Sequence, residues 1–336
     1  LHFMRRLLQY LFKRPLTWMA NTLSAKPEKE AIFKSLSKLY NSTKKNNTRV
    51  CVLNVDAADK FIIFSDQHKG NRDYADDFSG NEFNYLKALE YYHGQNFSFI
   101  NLGDSEEIWK YKVEAVLPKN EKAFAAEAAF QPNKYFKTFG NHDIIWKNKW
   151  DVERLLKNYF TLPLPVYEGI VLKTTVVDEA LTIFCTHGHQ GDKMSDNNAF
   201  STWIVAHVWA PIQRYLKINV NTPSKDYSLR NKHNQLMHQW SSNRKNVLLI
   251  TGHTHSPVFA SGKYSTHPSN KIEKDAHEKL KPSYYNTGCC CFSDGDITGI
   301  EIEGGYIRLI KWHQENNTSV RDILEEITLK KLLQDL

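Results

Sequence analysis

Five short apolar runs, each closing on a polar cluster, decide how this chain folds: 60-KFIIFSDQH-68, 97-FSFINLGD-104, 135-YFKTFGNHD-143, 181-LTIFCTHGH-189 and 246-NVLLITGHTH-255. Each apolar part is too short for a helix and predicts a strand. A further strand-like run, 50-VCVLNV-55, precedes them. Longer segments of helical pattern lie between several of the runs, at residues 81–93 and 121–130. Another, at 28–40, places Ile32, Phe33, Leu36 and Leu39 near helical spacing. Strands alternating with helices predict an α/β domain. Polar clusters at the carboxyl ends of strands are where α/β folds place their sites.

The chain has 336 residues, of which 41% are hydrophobic and 24% charged. That composition excludes a collagen, a low-complexity linker protein and a fully disordered chain. No run of apolar residues is long enough for a transmembrane helix. Residues 1–45 hold ten Lys/Arg and two Glu, so this segment carries all of the net charge of +7 and the rest is nearly neutral. A neutral body argues against a broad nucleic-acid surface. Cys51, Cys185, Cys289, Cys290 and Cys291 contain no C-x-x-C pair. They read as reduced, buried thiols of a cytoplasmic protein rather than a zinc ribbon or a disulfide framework.

Four segments follow. Residues 1–48 form a basic amphipathic N-terminal arm, in which Leu7, Leu8, Leu11, Phe12 and Trp18 alternate with Arg5, Arg6, Lys13 and Arg14. Such an arm suits peripheral contact with the inner membrane surface. Residues 49–312 form the α/β domain. Within it, residues 192–245 are an aromatic-rich helical insertion between two site-bearing strands, a position that suits a cap. An ordinary helical pair covering the sheet is the competing reading. A hairpin at 296–312 and a helix at 320–334 close the chain, with 313–336 taken as the C-terminal helical segment.

The clusters are Asp66-Gln67-His68, Gly103-Asp104, Gly140-Asn141-His142-Asp143, Thr186-His187-Gly188-His189 and Gly252-His253-Thr254-His255. In extended chain, residues i and i+2 point the same way, so Asp66 and His68 converge, as do His253 and His255. Mixed carboxylate, imidazole and amide donors suit Mn, with Fe, Zn, Co or Ni as alternatives. Seven such ligands are too many for one four-coordinate ion and suit two, and a carboxylate with two oxygens, here Asp104, can bridge both. Glycines before Asp104, Asn141 and His253 let the chain turn as each strand ends. Two such ions are built for phosphoryl chemistry, in which a bridging hydroxide attacks a phosphate. His142 is placed to protonate the leaving oxygen, and Asp143 to orient it.

The order D-x-H, G-D, G-N-H-D, H-G-H and G-H-T-H resembles the calcineurin-like metallophosphoesterase superfamily across residues 60–256. Asn286-Thr287-Gly288 is similar to the N-x-G that closes such domains. The resemblance implies a four-layer α/β/β/α sandwich with a dinuclear metal site at the strand ends. It implies that Asp66, His68 and His255 hold one ion, that Asn141, His187 and His253 hold the other, and that His142 is the acid. The family's H-G pattern selects His187, leaving His189 behind it or facing substrate. Arg72, Arg214 and Arg230 are further candidates for contact with substrate phosphate. The run Ser105-Glu106-Glu107-Ile108-Trp109 is similar to the acidic and aromatic continuation of the branch that cleaves UDP-diacylglucosamine. Gln67, Lys69 and Gly70 depart from that branch's D-L-H-L, and this chain is longer. The expected substrate is a phosphorylated small molecule or nucleotide. A pyrophosphate hydrolase of a lipid-linked nucleotide and a non-catalytic scaffold are the alternatives.

Overall fold

The computed structural model describes residues 27–43, 48–191, 227–262 and 281–336. The expected amphipathic segment at 5–18 and Arg214 lie outside them. The strands are β1 (Val50–Asn54), β2 (Phe61–Phe64), β3 (Ser98–Leu102), β4 (Tyr135–Thr138), β5 (Val166–Tyr167), β6 (Gly169–Val176), β7 (Glu179–Thr186), β8 (Val247–Thr251), β9 (Tyr284–Asn286), β10 (Ile297–Glu303), β11 (Tyr306–Glu315) and β12 (Thr318–Thr328). One sheet runs β12-β11-β10-β2-β3-β4-β5 and the other β1-β6-β7-β8-β9. The site-bearing strands β2, β3 and β4 run parallel in the first sheet, and β7 and β8 run parallel in the second.

These five strands are buried on both faces over most of their length, which is why they read as continuous apolar runs rather than alternating ones. Phe61 and Ile63 of β2 join Ile100, Leu102, Ile183, Cys185, Leu248 and Ile250 in the core between the sheets. Ile62 and Phe64 point the other way, into a cluster with Tyr85, Leu89, Tyr92 and Phe124. Val171, Phe184 and Leu249 cover the outer face of the second sheet with Ile32, Leu36, Met237 and Trp240. Each fully buried Ile, Leu or Phe contributes about 1.5–3 kcal/mol. The four-layer α/β/β/α expectation matches these clusters.

Helix Glu82–Gly94 buries Tyr85, Ala88, Leu89 and Tyr92, spaced i, i+3, i+4 and i+7, against the first sheet. Helices Lys29–Ser42 and Tyr227–Ser242 lie against the second. The former falls within the segment that the sequence assigns to the arm, yet it lies in the outer layer, where Ile32, Leu36 and Leu39 fill it. The described part of the 192–245 insertion likewise covers a sheet, through Leu236, Met237 and Trp240. No helix among the described residues is long and apolar enough to cross a membrane.

One expected element is different. Residues 318–328 form β12, paired antiparallel to β11, and only Leu329–Asp335 is helical. The reason lies in the turn. Glu315 pairs with Thr318, leaving a two-residue loop of Asn316 and Asn317, both at positive φ. That loop twists with the strands it joins and closes a hairpin.

Candidate metal and phosphate site

The five clusters meet where the two sheets' strands end. The convergence does not come from extended chain, as the i and i+2 argument expected. Asp66, His68, Asp104, His253 and His255 all have φ between 50° and 69°. Left-handed backbone at a non-glycine residue costs on the order of 1–3 kcal/mol and persists only where surroundings impose it. Here they do. Asp66 N–H donates to the Gly103 carbonyl, His68 N–H to the Asp104 carbonyl, and His253 N–H to Asp66 Oδ2 at 2.9 Å. Gly140 and Gly252 serve close approach rather than a left-handed turn. A Cβ at Gly140 would collide with Asp104, and one at Gly252 with Ser65 and Asp66.

Asp104 stands at the centre. Its Oδ2 is 3.1 Å from His187 Nε2 and 3.8 Å from His68 Nε2. Its Oδ1 accepts the His142 backbone N–H at 2.8 Å. On one side, Asp66 Oδ1 lies 3.1 Å from His255 Nε2 and 3.8 Å from His68 Nε2, and the two Nε2 atoms are 3.1 Å apart. On the other, the His187 and His253 rings are 5.2 Å apart, and ligand atoms of Asp104, His187 and His253 gather as a metal-sized group. His68, Asp104 and His142 form a second such group, and His68, His255 and Cys291 a third.

The outward nitrogens are tied off. His187 Nδ1–H donates to the Leu102 carbonyl at 2.9 Å, and His68 Nδ1–H to Glu107 Oε2 at 3.1 Å. A neutral imidazole that donates through Nδ1 keeps a lone pair on Nε2. In that neutral form both Nε2 atoms face the carboxylates as acceptors, an arrangement that asks for a cation between them. Asn141 Oδ1 and His187 Nε2 are buried without a hydrogen-bond partner. These orphaned acceptors fit divalent ions.

Charge agrees with this. Burial pushes Asp66 upward, but His255 and His187 outweigh it and hold the carboxyl well below the usual range. Burial is likewise overcome at Asp104 by His187 and His142. Burial opposes protonation of His187, but Asp104 and Asp66 lift the ring to about 9, so without an ion a proton on Nε2 takes the place that a cation would fill. Both carboxylates thus stay ionised in a water-poor place, where cationic charge is strongly favoured.

His142 is the more open member, with 18% of its side chain exposed. Its Nδ1–H donates to Glu107 Oε1 at 2.7 Å, and its ring stacks on Trp109 with centroids 4.2 Å apart. Asp143, expected to orient this ring, does not. Its Oδ1 accepts from Gly140 N–H at 2.6 Å and its Oδ2 from Ser105 N–H at 2.9 Å, so it braces the strand-end loops. Glu107 is the residue that the sequence reading did not place in the site. Burial raises its carboxyl, but His142 and Lys110 outweigh that and hold it well below the usual range. It is brought there because residues 68–69 run beside 104–107, with Lys69 N–H donating to the Ser105 carbonyl and Glu107 N–H to the Lys69 carbonyl.

The remaining candidates divide. His189 is buried, with its ring 5.4 Å from His187, and burial together with His187 lowers it to about 3. Arg72 is committed elsewhere, paired with Glu82 and donating Nε–H to the Lys119 carbonyl. Arg230 lies on the helix that also carries His233 and Asn234. His233 was also missed. Its Nε2–H donates to the Gly188 carbonyl at 2.8 Å and its ring is 5.3 Å from His253. Asn234 Oδ1 accepts from Thr254 Oγ1–H at 3.1 Å.

Beneath the site is a buried charge network. Glu106 receives Lys137 Nζ at 3.0 Å, Lys69 Nζ at 3.1 Å and Trp146 Nε1–H at 2.6 Å. Glu127 pairs with Lys69 and accepts Tyr85 and Tyr135 hydroxyls at 2.9 and 2.8 Å. Burial raises Glu106, but Lys137 and Lys69 bring it down to about 2.

The family described as calcineurin-like phosphoesterase matches residues 59–257 of this chain. No curated protein matches it. Among solved structures, vacuolar protein sorting 29 from Cryptosporidium parvum is similar at 14% identity and a TM-score of 0.37, covering 81% of this chain and all of its own. Vps29 from Entamoeba histolytica, complexed with zinc, is similar at 11% identity and a TM-score of 0.27, covering 79% of this chain and 98% of its own. A cold-active protein tyrosine phosphatase mutant is similar at 10% identity and a TM-score of 0.34, covering 82% of each chain.

Proposed function

The chain belongs to the calcineurin-like phosphoesterase family and is a metal-dependent phosphoesterase; we propose that it hydrolyses a phosphate ester at two divalent ions, with His142 as the general acid. The observation that carries this reading is the position of Asp104. Its Oδ2 lies between His68 Nε2 and His187 Nε2, and each of those rings has its outward N–H already bonded. Asp66, His68 and His255 would hold one ion, Asn141, His187 and His253 the other, and Asp104 both. The oxygen and nitrogen donors suit Mn first, with Fe, Zn, Co or Ni as alternatives. Such ions supply Lewis-acid charge to phosphoryl oxygens and acidify the attacking water.

The chain's own part is positioning and proton transfer. His142, pinned at Nδ1 by Glu107 and flanked by Trp109, keeps Nε2 free of that bond, as a group that passes a proton to the leaving oxygen requires. The substrate is a phosphorylated small molecule or nucleotide. Cleavage of a lipid-linked nucleotide pyrophosphate is the finer alternative. The test is a screen of aryl phosphates, phosphodiesters and nucleoside diphosphate conjugates, with and without acyl chains, on chelator-stripped protein resupplied with Mn. Metal-restored turnover of at least one class supports the reading, and acyl-dependent turnover selects the lipid-linked alternative. No turnover of any class at full metal occupancy refutes hydrolysis.

A further inference from the structure

His255 meets a sulfur on the side that faces away from the carboxylates. Its Nε2 lies 3.1 Å from Asp66 Oδ1 and 3.1 Å from His68 Nε2, while its Nδ1 lies 3.6 Å from Cys291 Sγ. A ring that offers its Nε2 lone pair to an ion carries its proton on Nδ1, and that N–H needs an acceptor. For His68 the acceptor is a carboxylate and for His187 a backbone carbonyl. For His255 the atom in that place is a thiol sulfur, within hydrogen-bond range for so large an acceptor.

We propose that Cys291 is a positioning residue of the metal site: its sulfur accepts the His255 Nδ1–H and holds Nε2 toward the ion shared with Asp66 and His68. This rests on the metallophosphoesterase reading above. The sulfur's place is built into the fold. Cys290 N–H donates to the Asp66 carbonyl at 3.2 Å, tying the cysteine run to the loop that carries the first ligand. Thr298 N–H donates to the Cys289 carbonyl at 3.1 Å, and Thr298 Oγ1–H to the Thr287 carbonyl at 2.7 Å, tying the same run to β10. Gly288, at φ 77°, lets the chain turn there, and a Cβ would strike Thr298. Cys289 and Cys290 are buried, whereas Cys291 is half-buried against His255. Sulfur is a weaker acceptor than the carboxylate that serves His68. The ion held by Asp66, His68 and His255 is therefore the more easily lost, and its retention responds to the chemistry of one thiol.

The experiment measures bound Mn by elemental analysis during dialysis against graded chelator, on wild-type protein, Cys291→Ala and Cys291→Ser. Wild type should retain two ions per chain. Cys291→Ala should lose one of them at about 10- to 100-fold lower chelator strength, the usual effect of removing a metal ligand's outer partner, and keep the other unchanged. Cys291→Ser, whose hydroxyl also accepts, should recover most of the retention. Equal retention in all three proteins overturns the proposal, and an equal defect in Ala and Ser variants assigns the sulfur to packing and overturns it too. Failure of wild type to bind two ions overturns the dinuclear reading itself. Should Cys291→Ala fail to fold, wild type treated with methyl methanethiosulfonate takes its place. Release of one ion, reversed by dithiothreitol and absent in Cys291→Ser, supports the proposal. Retention of both ions with Cys291 shown modified by mass spectrometry overturns it.

Discussion

Glu107→Gln isolates the one carboxylate that serves both halves of the chemistry. Glu107 Oε1 accepts His142 Nδ1–H at 2.7 Å, and Oε2 accepts His68 Nδ1–H at 3.1 Å with Lys110 Nζ at 3.3 Å. A glutamine has the same shape but one acceptor oxygen, and its NH₂ is itself a donor. One imidazole N–H then faces another donor, and the bond that remains loses its ionic partner. A hydrogen bond to a charged group is worth about 1.5–3 kcal/mol, so the two together are worth about 3–6 kcal/mol. At 1.36 kcal/mol per tenfold, kcat/KM should fall by about 10²- to 10⁴-fold. The assay is kcat/KM for an aryl phosphate at saturating Mn, on Glu107→Gln, His142→Ala and the double variant. The double variant should lie only about 10- to 100-fold below His142→Ala, since the His142 share is already gone and the His68 share alone remains. Glu107→Gln within threefold of wild type, or a double variant whose loss is the full product of the two singles, would refute the reasoning.

His142→Ala should keep both metals and lose on the order of 10²–10⁴-fold in rate, with the loss shrinking as the leaving group becomes more acidic. An equal loss across leaving groups in a kinetic series removes its role as acid. Asp104→Asn halves the charge offered to two dications and should abolish most activity along with one bound ion. Wild-type turnover at full occupancy, measured by elemental analysis, contradicts the bridging assignment. Replacing 192–226 by a short linker should leave metals and hydrolysis of a small aryl ester intact while selectivity among larger substrates collapses. The helix Tyr227–Ser242 is kept because Met237 and Trp240 pack the outer layer. Unchanged selectivity drops the cap reading. Glu106, at about 2 in the folded chain, is a lowered carboxylate. Its contribution is complete above pH about 4.5 and is lost as pH falls toward 2. The Tm gap between wild type and Glu106→Gln should therefore be widest near neutrality and close through that window, and a pH-independent gap contradicts it.

Some of this is local and legible in the chain. The runs at 61–64, 98–102 and 247–251 are short, apolar and followed within two residues by Asp, His, Gly or Asn, so strands with a site at their ends are written in contiguous residues. The helix at 82–94 is legible for the same reason, since its buried face repeats at i, i+3, i+4 and i+7. Misreadings arise where local pattern and tertiary pairing disagree. Val320, Ile323, Leu324 and Ile327 have helical spacing, yet the two-residue turn at Asn316-Asn317 lays residues 318–328 antiparallel against β11 and makes them a strand. The Asn316-Asn317 loop was the signal for that outcome.

The site divides along the same line. The ligand types and their order belong to the sequence by itself. The left-handed backbone at Asp66, His68, Asp104, His253 and His255 does not, because such residues disfavour φ above zero unless a neighbouring loop's hydrogen bonds impose it. Nor does the partner of His142. Asp143 is adjacent in the chain, but its oxygens are consumed by Gly140 and Ser105 N–H groups, and Glu107 reaches the ring only because two strand-end loops lie side by side. The contact of Cys291 with His255 joins residues brought together by the second sheet's edge and β10. Residue identity therefore determined which atoms are able to bind metal and carry protons. Tertiary structure decided which nitrogen of each histidine faces the site, because that choice belongs to whatever accepts the proton on the ring's far side.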